Sequence, residues 1–138
     1  MKMKKYLSKV CFLVAICVLF TSNISYAYVA DNTFDFRYDA NIEMVKSNPH
    51  IKNSGNKTAT VIITKTNFKK NETVEFYLCN ERGVRVTNVV KYNGNSKIIK
   101  LTYLSKIFVQ DKKLFRGYRL VGVYKGGQTR RISGKILL

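Results

Sequence analysis

His50 is the only histidine in the chain, and it follows Pro49 in a polar stretch. A serine or cysteine nucleophile needs an imidazole within hydrogen-bond reach and a third group to orient that imidazole. Nothing beside His50 supplies this pattern, so the sequence predicts a solvated loop histidine. A zinc centre needs about four nitrogen or sulfur ligands. His50 and Cys79 are two, and the remaining cysteines, Cys11 and Cys17, lie in an apolar N-terminal run. Asp31, Asp35, Asp39 and Glu43 recur every four residues. They lack the Asx-rich loop closed by a glutamate that marks an EF-hand. Glu72, Glu75 and Glu81 could supply a pair of carboxylates for glycoside hydrolysis, but their setting matches that of ordinary surface acids. Gly126-Gly127 lies between two apolar runs, where a turn explains it better than a phosphate loop. No catalytic, metal or cofactor site is expected, and the chain reads as non-enzymatic.

The remaining chemistry is cationic. The chain carries 25 basic and 8 acidic side chains, a formal net charge of +17. Residues 28–81 hold seven of each sign, whereas residues 82–138 hold fourteen basic groups and only Asp111 as an acid. Such asymmetry bears on solubility and long-range attraction rather than on fold. Basic residues also adjoin aromatics at Phe115-Arg116 and Tyr118-Arg119, a combination able to stack on single-stranded nucleic acid.

The elements that must position these charges read as β nearly throughout. Phe34, Phe36 and Tyr38 alternate with Thr33, Asp35 and Arg37, the period of a half-buried strand. Ile42, Met44 and Val45 suggest a short second strand, and residues 47–57 a loop. In residues 58–64, Ala59, Val61 and Ile63 face one way. Residues 73–79 place Val74, Phe76 and Leu78 together and, through a turn at Gly83, pair with residues 84–92 as one hairpin. Asn93-Gly94-Asn95 is a turn leading to Ile99, Leu101 and Tyr103. Ile107, Phe108 and Val109 form a further apolar run ending at Asp111-Lys112-Lys113. Residues 117–124 and 129–137 would pair across Gly126-Gly127-Gln128. Seven to eight short strands at this spacing predict an all-β antiparallel sandwich or small barrel. Strand parity would gather Arg119, Arg131 and Lys135 on the last hairpin, with Lys97 and Lys100 nearby.

The N-terminus carries an address. Lys2, Lys4, Lys5 and Lys9 precede eleven uncharged apolar residues, 10–20, and then Ser25-Tyr26-Ala27. This succession is that of a secretory signal peptide, with cleavage expected between Ala27 and Tyr28. The apolar run is too short to span a bilayer, which takes about 20 residues. Neither Ile16 before Cys17 nor Val10 before Cys11 fits lipoprotein processing. The expected organisation is a signal peptide over residues 1–27 and a single β-sandwich-like domain over 28–138, with no transmembrane segment. That mature chain retains only Cys79, read as a buried free thiol.

Three stretches carry a resemblance: Ala30-Asp31-Asn32-Thr33-Phe34-Asp35-Phe36, then Thr73-Val74-Glu75-Phe76-Tyr77-Leu78 with Arg85-Val86-Thr87 and Asn93-Gly94, and finally Ile132-Ser133-Gly134. Through them the chain resembles a family of small exported proteins of Gram-positive bacteria, domain of unknown function 2712. That family often has tryptophan near the central strand and after the closing glycine, whereas this chain has none. The resemblance implies an exported β-rich domain and supplies no catalytic residue. The chain is also remotely similar in size and class to small secreted β-sandwich bacteriocins.

These readings converge on a secreted or peripherally surface-associated domain that binds an anionic cell-envelope component, a wall polymer or lipid headgroups. Lys97, Lys100, Arg119, Arg131 and Lys135 would form the contact. Export makes an envelope polymer the expected partner ahead of nucleic acid. The alternative is a bacteriocin-like antagonist acting on a competitor's envelope.

Overall fold

A computed structural model describes residues 32–52, 55–110 and 117–138. The expected signal peptide with its Ala27–Tyr28 cleavage site lies outside the described residues, as does the turn at Asp111-Lys112-Lys113. The fold is all-β: among the described residues there are nine antiparallel strands in two sheets and one helical turn at Lys106–Gln110. The strands are β1 (Thr33–Tyr38), β2 (Met44–Lys46), β3 (His50–Ile51), β4 (Thr58–Thr66), β5 (Val74–Cys79), β6 (Val90–Tyr92), β7 (Ile98–Thr102), β8 (Gly117–Val123) and β9 (Arg130–Leu137). The first sheet runs β1-β9-β4-β7; the second runs β2-β8-β5-β6, with β3 also on β8. Among the described residues no helix is long and apolar enough to cross a membrane.

The core follows from strand parity. Phe34, Phe36 and Tyr38 of β1 are buried while their neighbours on β1 are exposed. Ala59, Val61 and Ile63 of β4 and Ile132 and Ile136 of β9 join them from the first sheet. Val74, Phe76 and Leu78 of β5 and Leu120 of β8 face them from the second. Phe36 and Phe76 stack across the two sheets with ring centroids 6.3 Å apart. Gly122 of β8 makes room for this packing, since a Cβ there would fall on the Tyr38 hydroxyl and the Phe36 ring.

Three local features depart from the sequence reading. First, β8 and β9 do not pair: β8 lies between β5 and β2, and β9 lies between β1 and β4. The segment holding Gly126 and Gly127 therefore crosses between the sheets. The reason lies in burial. β8 is covered on both faces as a central strand, with only Arg119 and Val123 half-buried, whereas β9 keeps one face open. Second, the hairpin of residues 73–92 is interrupted. Val86 donates its N–H to the Leu78 carbonyl of the second sheet, and its own carbonyl accepts from Leu104 beyond β7 in the first. Leu78 in turn donates to the Thr87 hydroxyl at 2.9 Å, which fills the gap in the ladder. Third, the run of Ile107 and Val109 begins a helical turn rather than a strand. Ser105 caps it, its hydroxyl accepting from the Ile107 N–H and its carbonyl from the Val109 N–H.

Candidate anion-binding surface

His50 is not a solvated loop residue. It belongs to β3, pairs with Tyr118 of β8 and is fully buried. Its Nε2 lies 3.0 Å from the Ser47 hydroxyl. That hydroxyl donates its one proton to the Asn48 carbonyl at 2.8 Å and accepts from the Leu120 N–H at 2.9 Å. With its proton on the Asn48 carbonyl, the Ser47 hydroxyl is set to accept from Nε2. The arrangement anchors the break between β2 and β3. Lys52 is withdrawn from the surface as well. It is buried, donates Nζ to the Val109 carbonyl at 2.6 Å, and sits 5.1 Å from the centre of the Tyr103 ring. Among the described residues no three histidine, cysteine or acidic side chains come together as a metal site.

Two carboxylates of the neutral half are committed to arginines of the basic half. Arg130 and Arg131 are adjacent on β9 and so project to opposite faces. Arg130 grips Glu72 through Nε and Nη2, both at 2.6 Å, and Tyr124 adds its hydroxyl at 3.0 Å. With the Lys69 N–H also donating, these bonds hold the Glu72 carboxyl at about 2. Arg131 donates to both oxygens of Asp35 at 2.8 and 2.6 Å, and Arg37 stands 3.8 Å from the same carboxylate. The Arg131 bond is the main cause lowering the Asp35 pKa.

The five cations expected to act together are divided. Arg131 and Lys135 lie on the outer face of the first sheet through β9, and Lys100 lies there through β7. Lys97, exposed just before β7, accepts the Ile63 N–H on its carbonyl. Arg119 is on the opposite side of the sandwich, because β8 belongs to the second sheet. There it donates to the Ser47 carbonyl at 3.0 Å and flanks Cys79 across the β5–β8 ladder. Arg85 bridges Cys79 from the other side, and Lys46 is two positions along on β2. Cys79 is a buried free thiol. Burial pushes its pKa up, while Lys46 and Arg119 pull it down.

On the first sheet, register makes the composition of the face explicit. Thr33, Lys135, Ile62 and Ile98 form one row across it, and Leu137, Thr60 and Lys100 form the next. Lys65 joins this face opposite Ser133, since the register shifts between Ile63 and Lys65. Simple parity would have sent Lys65 inward with Ala59, Val61 and Ile63. Gly134 permits the close approach at that point, because a Cβ there would strike the Ile62 carbonyl. The four strands of the sheet carry Arg37, Lys65, Lys100, Arg130, Arg131 and Lys135 against the single acid Asp35. Among the described residues no carboxylate lies within ion-pair distance of Lys65, Lys100 or Lys135. No protein-family model, curated protein or solved structure matches the chain.

Proposed function

We propose that the chain is an exported, non-enzymatic β-sandwich that binds an anionic cell-envelope component through the outer face of its first sheet. The observation supporting this is the placement of Lys65, Lys100 and Lys135 on one face, where among the described residues no carboxylate lies within ion-pair distance of them. Lys97 extends the positive region at its edge. Arg131 belongs to the same face in a partly discharged form, and Arg119 contributes only to the field of the whole molecule. The resemblance to exported Gram-positive proteins agrees with this location. Near an anionic surface each lysine contributes on the order of 1 kcal/mol, screened within about 10 Å at 0.1 M salt.

The test is co-sedimentation of the secreted protein with isolated cell walls and with anionic vesicles at two salt concentrations. The double variant Lys100→Gln and Lys135→Gln should bind about tenfold or more weakly to whichever surface is the partner. Arg119→Gln, on the opposite sheet, should bind as the parent does. Equal loss in both variants would mean that net charge alone matters. Adsorption indifferent to salt and to every substitution would mean that the lysines serve solubility.

A further inference from the structure

The same face carries apolar side chains that a charged polymer would not need. Ile98 and Leu137 are 55% and 50% exposed, and Ile62 between them is half-buried. Ile62 is directly opposite Ile98 on β7 and opposite Lys135 on β9; Leu137 is opposite Thr60, which is opposite Lys100. The three apolar residues thus run obliquely across β9, β4 and β7, with Lys135 on one side and Lys100 on the other. Opposed residues on neighbouring strands lie about 5 Å apart and diagonal ones about 7–8 Å, so this is one continuous strip. An isoleucine and a leucine held half in water lose nothing by facing a hydrated polymer, but gain nothing either. Against a bilayer they can enter the headgroup boundary while the flanking ammonium groups meet anionic headgroups.

We infer that the first sheet's outer face docks on an anionic lipid bilayer, with Ile98 and Leu137 entering the interface between Lys100 and Lys135. This rests on the proposed anion-binding role of the same face and names its partner as lipid rather than wall polymer. Charge complementarity between the lysines and anionic headgroups sets the orientation, and apolar burial adds affinity that salt does not screen. Binding should therefore decline with salt to a residual level rather than to zero.

The experiment uses the secreted protein and three probes: vesicles of phosphatidylglycerol with phosphatidylcholine, vesicles of phosphatidylcholine alone, and long-chain polyphosphate as a soluble polyanion. Ile98→Ser with Leu137→Ser should weaken binding to the mixed vesicles by about tenfold, given half-exposed side chains, and leave polyphosphate binding unchanged. Circular dichroism and the thermal midpoint establish that the variant is folded. Lys100→Gln with Lys135→Gln should weaken binding to both anionic probes. If the apolar variant binds mixed vesicles as the parent does, the lipid inference fails while the anion-binding reading stands. If the lysine variant also changes nothing, both fail. Self-association of the parent without vesicle binding, abolished by the apolar variant, overturns the inference in favour of a second copy of the chain.

Discussion

Arg130 and Glu72 are 58 residues apart in sequence and meet through two hydrogen bonds of 2.6 Å at one end of the sandwich. Both side chains are largely shielded, and the pair sits beside Tyr38, Phe68 and Tyr124, whose rings contact one another edge to face. The pair joins the segment after β4 to the start of β9, and Tyr124 ties in the segment after β8. Two connections, the one from β4 to β5 and both ends of the one from β8 to β9, are thus closed over the aromatic end of the core by one carboxylate. A bidentate, shielded pair of this kind is worth more than an exposed one.

Replacing Glu72 with glutamine should lower the thermal midpoint by several degrees at neutral pH. The pH dependence has a definite sign. The folded carboxyl titrates at about 2, below an unfolded glutamate, so its stabilisation is complete above the ordinary range near 4.5. It is lost as pH falls from there toward 2. Thermal melts of the parent should therefore steepen their decline across that window, and the Glu72→Gln protein should show a shallower decline. Parallel curves for the two proteins would contradict the assignment.

A second prediction concerns the buried hydroxyl of Tyr38, which has no hydrogen-bond partner among the described residues. Removing such a group relieves a desolvation cost. Tyr38→Phe should leave stability within about 1 kcal/mol of the parent or raise it. Gly122→Ala should destabilise by about 1–3 kcal/mol, because its Cβ meets that hydroxyl and the Phe36 ring. Combining the two should recover part of the loss, since only the ring contact then remains. Urea titrations of the four proteins give the coupling directly, and strict additivity would show that the hydroxyl is not what the methyl strikes.

Thr87 permits a sharper test of the interrupted hairpin. Its hydroxyl accepts from the buried Leu78 N–H and donates to the Asn88 carbonyl at 3.0 Å. Valine has nearly the same shape without these bonds, so Thr87→Val leaves the Leu78 N–H buried and unbonded. The expected cost is about 1–3 kcal/mol, with serine recovering much of it. Amide exchange at Leu78 should accelerate in the valine protein. Unchanged exchange there would mean that another acceptor satisfies the strand.

Much of this architecture is legible in the residues, and the failures have physical causes. Alternation identifies the buried faces of β1, β4, β5, β7 and β9, because in each the core-facing apolar residues alternate with less buried ones. Pairing of β8 with β9 is wrong for the opposite reason. Leu120-Val121-Gly122-Val123 has little alternation, a sign of a strand covered on both faces, and such a strand takes partners distant in sequence. Lys65 reaches the surface only through a bulge that parity does not foresee. His50 sits among polar neighbours that give no sign of burial, and its pairing with β8 comes from tertiary contact. Ser105 ahead of Lys106 and Ile107 is a helix cap that could have revealed the helical turn. The cationic face is therefore half legible: Lys100, Arg131 and Lys135 are placed together, and Arg119 is lost to the second sheet.

The last prediction uses Asp35, the only acid in the first sheet, to strengthen binding instead of weakening it. Its carboxylate accepts two hydrogen bonds from Arg131 and lies 3.8 Å from Arg37. Asp35→Asn removes the negative charge and frees both guanidinium groups on the same face as Lys100 and Lys135. Because these side chains are substantially exposed, the thermal midpoint should move by no more than a few degrees. Adsorption to phosphatidylglycerol-containing vesicles at low salt should rise by about fivefold or more for the charge released. The gain should vanish near 1 M salt, where the screening length falls to about 3 Å. A control substitution on the opposite sheet, Glu75→Gln, releases Lys91 from its 3.7 Å contact and adds the same net charge. If that control strengthens adsorption as much as Asp35→Asn does, the first sheet holds no privileged contact surface and the field of the whole molecule governs attachment.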